Sequence, residues 1–459
     1  MQANDNSFMQ VPTPSTILEE LRFEDYFPAG QELEDIKNSI HSALTKMIDE
    51  PTNYRDHIEK ARQFLRVLWK KYDCENVIEV FEAFTKVEPI LIDMEKDEGI
   101  GFRYRDHSIH TLHVFTFGLR LIAKLIDKVG DEQAQKMLKI KPEKISKFIP
   151  SFRDYNYKER LHYLWSLMST FHDIAIPLEH LDIIRNGLNK FSQQFDLNIV
   201  GPYLQQNIMI ADIDGYFAIL SRIFQGEVNL GNEGVCYKQD EENLYVKNIL
   251  SREFMKSDHG VLGGFMMYKT IEKTFLLGMS AKHAFDCMNL FNSYAKYVLS
   301  QDIARAALAI SLHNLKRISQ NKEALFLPLR FDKYPLAFIL ILSDGIQEYL
   351  RWEGTSIRGG TKISSFPALE LEIDSSGLKL EIMYYLSTDP IKEDFFIRQA
   401  QVISRMSGES TPQTSTDAAS VLCSALSKEL TKQIILNNTF TLMLTVIQDG
   451  QKLLTRKVG

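Results

Sequence analysis

The sequence predicts a mainly α protein with a small α+β module at its C-terminal end, and three observations carry that expectation. From about residue 31 to 352, apolar residues recur three and four apart, the period of helices that bury one face. After Trp352 the pattern turns to alternation, the period of strands. The 459 residues are 44% hydrophobic and 25% charged, ordinary composition for about two to three folded domains.

Taken in order, residues 1 to 30 carry Pro12, Pro14 and Pro28 among polar residues and are expected to be extended or loosely ordered. "QELEDIKNSIHSALTKMIDE" and "YRDHIEKARQFLRVLWKKYD" follow as amphipathic helices, which completes an N-terminal region over 1–99. The stretch 100–352 stays helical, with interruptions at Gly130 and Pro177 and a loop insertion over 225–247. "EGTSIRGG" marks a boundary near 353. In the module 353–459, "PALELEID" and "LKLEIMYYLS" alternate around an "SSG" turn, and "TFTLMLTVIQ" and "KLLTRKV" around "DG". Each pair predicts a hairpin. Two helical segments between them give the order β-β-α-α-β-β.

A net charge of −7 and a pI near 5.9 provide no broad basic surface, so long nucleic acid is not the expected partner. A local basic pocket for a small anion is compatible with that balance, and so is a homo-oligomer. Cys74, Cys236, Cys287 and Cys423 fit neither a disulfide framework nor a zinc clip and read as reduced thiols of a cytoplasmic protein. The first residues lack the pattern of a signal peptide. The most apolar run, "YPLAFILILSDG", falls short of the roughly 20 residues that span a bilayer, and no membrane role is expected.

The polar residues set into apolar helices carry the chemistry. In "RYRDHSIHTLHVFTFGLRLI", His107, His110 and His113 are three apart, and Val114, Phe117 and Leu121 continue the stripe from His110. "LMSTFHDIAIPLEHL" ends an apolar helix in His172 and Asp173, just before Pro177. In "KSDHGVLGGFMMYK", His259 precedes Gly260, Gly263 and Gly264, small residues that let backbones approach closely. His313 closes "AALAISLH", and Asp344 interrupts "LAFILILSDG", where a carboxylate is costly unless paired or metal-bound. A lone histidine in such a helix is more often a hydrogen-bonded core residue. Together, these six residues point to metal.

The order His, His-Asp, His, His, Asp resembles the HD-domain superfamily of metal-dependent phosphohydrolases over about residues 100 to 352. Its first motif, H-S/T-L-x-V, is matched by "HTLHV" at His110, which selects His110 over its two neighbours. The resemblance implies an all-helical HD-domain core. It also implies two divalent ions held by His110, His172, Asp173, His259, His313 and Asp344, with Asp173 bridging both. Fe, Mn, Zn and Co all suit neutral imidazole with carboxylate. The chain departs from the pattern in reading "HDIA" for "HDIG", in the long gap between His110 and His172, and in lacking the GYP signature of cyclic-dinucleotide phosphodiesterases.

Two ions a few ångströms apart lower the pKa of a shared water and neutralise charge on an attacked phosphoryl group. The expected function is therefore hydrolysis of a phosphate ester or anhydride by a metal-bridging hydroxide, on a nucleotide or another small phosphorylated compound. Arg105 and Arg351 are the candidate phosphate contacts. Asp173 and Glu179 complete the catalytic candidates, although Glu179 is better suited to supporting the site or capping a helix after Pro177 than to acting as an acid. Two other readings share the ligand order. One is a di-iron oxygenase, which needs redox-active iron where a hydrolase needs a Lewis acid; the other is a regulatory protein that senses a nucleotide.

Overall fold

The computed structural model of the chain describes residues 11–49, 54–72, 74–97, 107–140, 157–179, 216, 217, 220, 248–254, 258–278, 302–315, 329–350, 366–374, 377–386, 397, 400, 401, 404, 411–434, 436, 440–448 and 451–458. Most of these residues are helical, and a four-stranded sheet lies near the C-terminal end. The expected loop insertion over 225–247 and the boundary near 353 lie outside the described residues.

The N-terminal segment corrects one expectation. Residues 14–21 form a helix, α1 (Pro14–Leu21), where extended or loosely ordered chain was expected. The prolines misled because Pro14 sits in the first turn, where its missing N–H costs nothing. Thr13 caps the helix by accepting from Thr16 N, and Ile17 and Leu21 are buried. α2 (Gln31–Asp49), α3 (Tyr54–Lys71) and α4 (Glu75–Asp97) follow.

At the centre lies α5 (His107–Val129), buried around almost its whole circumference. Its neighbours include α1, α3, the helices over residues 157–171 and 335–350, and the strand over residues 368–374. Among the described helices it alone is long and apolar enough to cross a membrane, but 89% of its most apolar stretch is inside the protein. Gly130 ends it at φ 79°, a left-handed conformation that favours glycine, and α6 (Asp131–Met137) begins at once.

Arg120 in the middle of α5 ties three regions together. Its Nε donates to Glu20 of α1 at 2.5 Å, and its Nη1 donates to the carbonyl of Pro367 at 3.0 Å. Burial works against the charge of Arg120, and the Glu20 carboxylate opposes that loss. Such a pair is retained because removing one partner strands a buried charge.

Beyond α5 come α7 (Tyr157–Phe171), the short α8 (Ile176–Glu179), α9 (His259–Gly278), α10 (residues 302–313) and α11 (Pro335–Leu350). α5 and α7 approach so closely at Gly118 that a Cβ there would lie 1.7 Å from the Trp165 ring, and Trp165 Nε1 donates to Phe115 O at 2.9 Å.

The expected hairpins are present. β1 (Ala368–Asp374) pairs antiparallel with β2 (Gly377–Leu386), and β3 (Phe440–Gln448) with β4 (Gln451–Val458). β2 and β3 join them in parallel, so the order is β1-β2-β3-β4. Between the hairpins, α12 (Ser415–Gln433) starts at a capping box of Thr414 and Asp417. Only residues 397, 400, 401 and 404 of the preceding segment are described, each helical. One hydrophobic cluster runs from Ile17 in α1 to Val458 in β4, because the apolar face of the sheet packs on α5 and α12.

Candidate metal centre

Four helices and the turn after α7 bring His110, His172, Asp173, His259, His313 and Asp344 to one place. His110 lies in the second turn of α5. His172 and Asp173 directly follow α7, where the chain turns towards α8. His259 is the first residue of α9, His313 the last of α10, and Asp344 lies within α11. Five of the six sit at or near helix ends, where side chains of several helices can converge without sharing one face.

The carboxylate of Asp173 divides the cluster. Its Oδ2 lies 3.3 Å from His110 Nε2 and 3.5 Å from His172 Nε2, while its Oδ1 lies 3.6 Å from His259 Nε2 and 3.7 Å from His313 Nε2. Asp344 Oδ1 belongs to the first group, 3.0 Å from His110 Nε2 and 4.0 Å from His172 Nε2. Two overlapping sets result, one of His110, His172, Asp173 and Asp344 and one of Asp173, His259 and His313, each with candidate ligand atoms within 4.8 Å of one another. Either set can hold a metal ion.

Asp173 Oδ2 and Asp344 Oδ1 are buried and make no hydrogen bond, although imidazole nitrogens stand beside them. Buried acceptors of this kind call for a partner, and the donor atoms crowd within 4.8 Å of one another. Metal therefore fits the donor set.

Backbone carbonyls fix the rings. His172 Nδ1 lies 2.9 Å from Ser169 O and His313 Nδ1 lies 2.6 Å from Ile310 O; a carbonyl only accepts, so each Nδ1 carries the proton. Each Nε2 is left with its lone pair towards the site. Burial holds the His172 pKa below its ordinary value, against the pull of Asp173 and Asp344. Burial also opposes charge on His313, but the Asp173 and Asp344 carboxylates outweigh it and raise that pKa. For Asp173, burial is overcome by His172, His313 and His259, which hold the carboxyl well below its usual range.

Around the second set, Asp258 caps α9 by accepting from Val261 N at 2.9 Å, and it accepts from Asn314 Nδ2 at 2.8 Å. The same amide lies 3.3 Å from His259 Nδ1. The glycines after His259 permit the close approach expected of them. A Cβ on Gly263 would stand 2.7 Å from Phe171 O, and one on Gly264 2.5 Å from Ala307 O. α9 thus seats directly on the end of α7 and on α10.

The three histidines of α5 do not share one role. A three-residue step turns a helix by about 300°, so the rings fan over roughly 120°. His110 reaches the cluster. His107 packs edge-on to Phe84 at 5.0 Å and His113 edge-on to Phe366 at 4.7 Å, both buried. Arg105 and Arg351 lie outside the described residues, as does the side chain of Glu179, whose backbone ends α8. Sequence reading missed Asp258 and Asn314, although each is adjacent to a candidate ligand.

Compared with protein-family models, curated proteins and solved structures, the chain matches none. What the site can do is read from its own atoms: this is a mainly helical protein with a buried His/Asp cluster able to hold metal.

Proposed function

We propose that the chain is a metal-dependent phosphohydrolase, acting on a phosphate ester or anhydride of a nucleotide or another small phosphorylated compound. The observation that carries this reading is the carboxylate of Asp173, with imidazole nitrogens of His110 and His172 around one oxygen and those of His259 and His313 around the other. A carboxylate flanked in this way suits two ions. His110, His172, Asp173 and Asp344 would hold one, and Asp173, His259 and His313 the other.

Divalent ions supply positive charge against a phosphoryl group and acidify water near neutral pH. The chain's own residues set the terms for that chemistry. Carbonyl-fixed Nδ1 protons keep the Nε2 atoms of His172 and His313 free to donate lone pairs. Two carboxylates against two dications leave net positive charge, which favours an anionic substrate. The rings of His110, His172 and His313 are buried, so charges act beside them at greater strength than in solvent. Arg105 and Arg351 are assigned to phosphate contact, and Glu179 to proton transfer or helix capping, as parts of this proposal.

The test is elemental analysis of the full chain purified without added metal, followed by a screen of nucleotides and phosphodiesters for phosphate release with Mn²⁺. Expected are close to two transition-metal ions per chain and turnover of at least one phosphorylated compound. A chain that neither carries nor takes up metal ends the proposal.

A further inference from the structure

Among the described residues, Gln433 of the C-terminal module hydrogen-bonds to the backbone of a candidate ligand. Gln433 ends α12, and its Nε2 donates to the backbone carbonyl of His313 at 2.9 Å. That carbonyl is among the last of α10, where no later N–H of the same helix is available to it. The backbone of Gln433 is itself anchored: its carbonyl accepts from Leu329 N at 2.8 Å, and Leu329 bridges to Ile434 in parallel. Leu430, one turn earlier, is fully buried and lies where a Cβ on Gly345, the neighbour of Asp344, would come within 2.8 Å of it. Phe440, at the start of β3, meets Phe338 of α11 at 4.7 Å.

We infer that Gln433 is a positioning residue for His313, and that through it the C-terminal module sets the affinity of the ion assigned to Asp173, His259 and His313. The inference rests on the metal reading above. The ring of His313 is fixed by Ile310 O within the same final turn, so its direction follows the backbone of that turn. A terminal turn with unsatisfied carbonyls frays, and the amide of Gln433 holds this one closed. Metal–nitrogen bonds form at about 2.0 to 2.1 Å, so a small drift of Nε2 costs affinity. No hydrogen bond described for Gln433 reaches His110, His172 or Asp344, so the ion assigned to these three and the shared Asp173 is the comparison within the same molecule.

The experiment uses the full chain, stripped with a chelator and titrated with Co²⁺ alone, its ligand-field absorption reporting each ion. Wild type is expected to take up two ions. Gln433→Met, which keeps side-chain length and removes the donor, is expected to weaken one of them by about ten- to a hundredfold, the range for lost partners of metal ligands. The other should stay within about twofold, and the metal-free thermal melt should move little. The affinity lost must be the one that His259→Ala also removes, and Gln433→Lys, which restores a donor, should recover it. Should Gln433→Met not fold, Gln433→Glu, of equal size and without a donor, is read in the same way. Unchanged affinities, or equal weakening of both ions, overturn the inference. A wild type that takes up no Co²⁺ instead overturns the metal reading, and that failure is distinct because it lies in the parent protein.

Discussion

The Nε2 atoms of His110 and His172 stand 2.8 Å apart, and both rings are fully buried. Two imidazole lone pairs at that separation repel, so either one ring donates its Nε2–H to the other or both face a cation. Asp173 Oδ2, 3.3 Å from His110 Nε2, and Asp344 Oδ1, 3.0 Å from it, favour positive charge at the same point. The two histidines come from different helices, and only their packing brings the rings together.

Asp173 is shared by both candidate metal sets, so Asp173→Ala should abolish uptake of both ions and lower hydrolysis by at least about a thousandfold. Helix content by circular dichroism should persist, because apolar burial supplies most of the core. Full activity in this variant would end the proposed role of Asp173.

Gly263→Ala places a methyl group 2.7 Å from Phe171 O, the carbonyl just before His172. The backbone must give way, at a cost of about 1–3 kcal/mol, and α9 should move His259 away from the centre. Denaturant unfolding and metal titration of the same sample should both show losses.

His162 provides a pH prediction away from the metal centre. It is fully buried among Phe23, Tyr26, Phe27, Tyr72 and Phe115, and burial pushes its pKa from 6.5 down to about 3. Below 6.5 the unfolded chain takes up a proton that the folded chain refuses. The stability is therefore complete above pH 6.5 and erodes as pH falls towards 3. Wild type should lose about 2 kcal/mol more than His162→Gln between pH 7.5 and pH 5. Parallel pH profiles for the two proteins would refute this.

The oxygenase alternative differs in what it asks of the metal. A hydrolase needs charge alone, so phosphate release with Mn²⁺ should be equal in air and under strict anaerobiosis. Strict dependence on iron and O₂ would establish the oxygenase instead.

The sequence by itself determined the local features of this protein. Spacings of three and four marked the helices, and alternation with a glycine turn marked the hairpin whose strands pair from Ala368↔Met383 to Asp374↔Gly377. These signals were legible because they arise within a few residues of one another. The exception was α1, where Pro14 read as a break although Thr13 and Pro14 together begin a helix. Polar residues set into apolar helices marked the six candidate ligands, and the resemblance read their order as a metal set, but neither gave their arrangement. The motif match selected His110 over His107 and His113, but only the tertiary structure decided where those two rings go, against Phe84 and Phe366 respectively, that the two oxygens of Asp173 face different histidine pairs, and that β2 and β3 lie parallel. It alone brought Gln433 to the carbonyl of His313, 120 positions away. Such contacts depend on how whole helices seat on one another, through close approaches such as Gly118 on Trp165 and Gly263 on Phe171, and no short stretch of sequence encodes that fit.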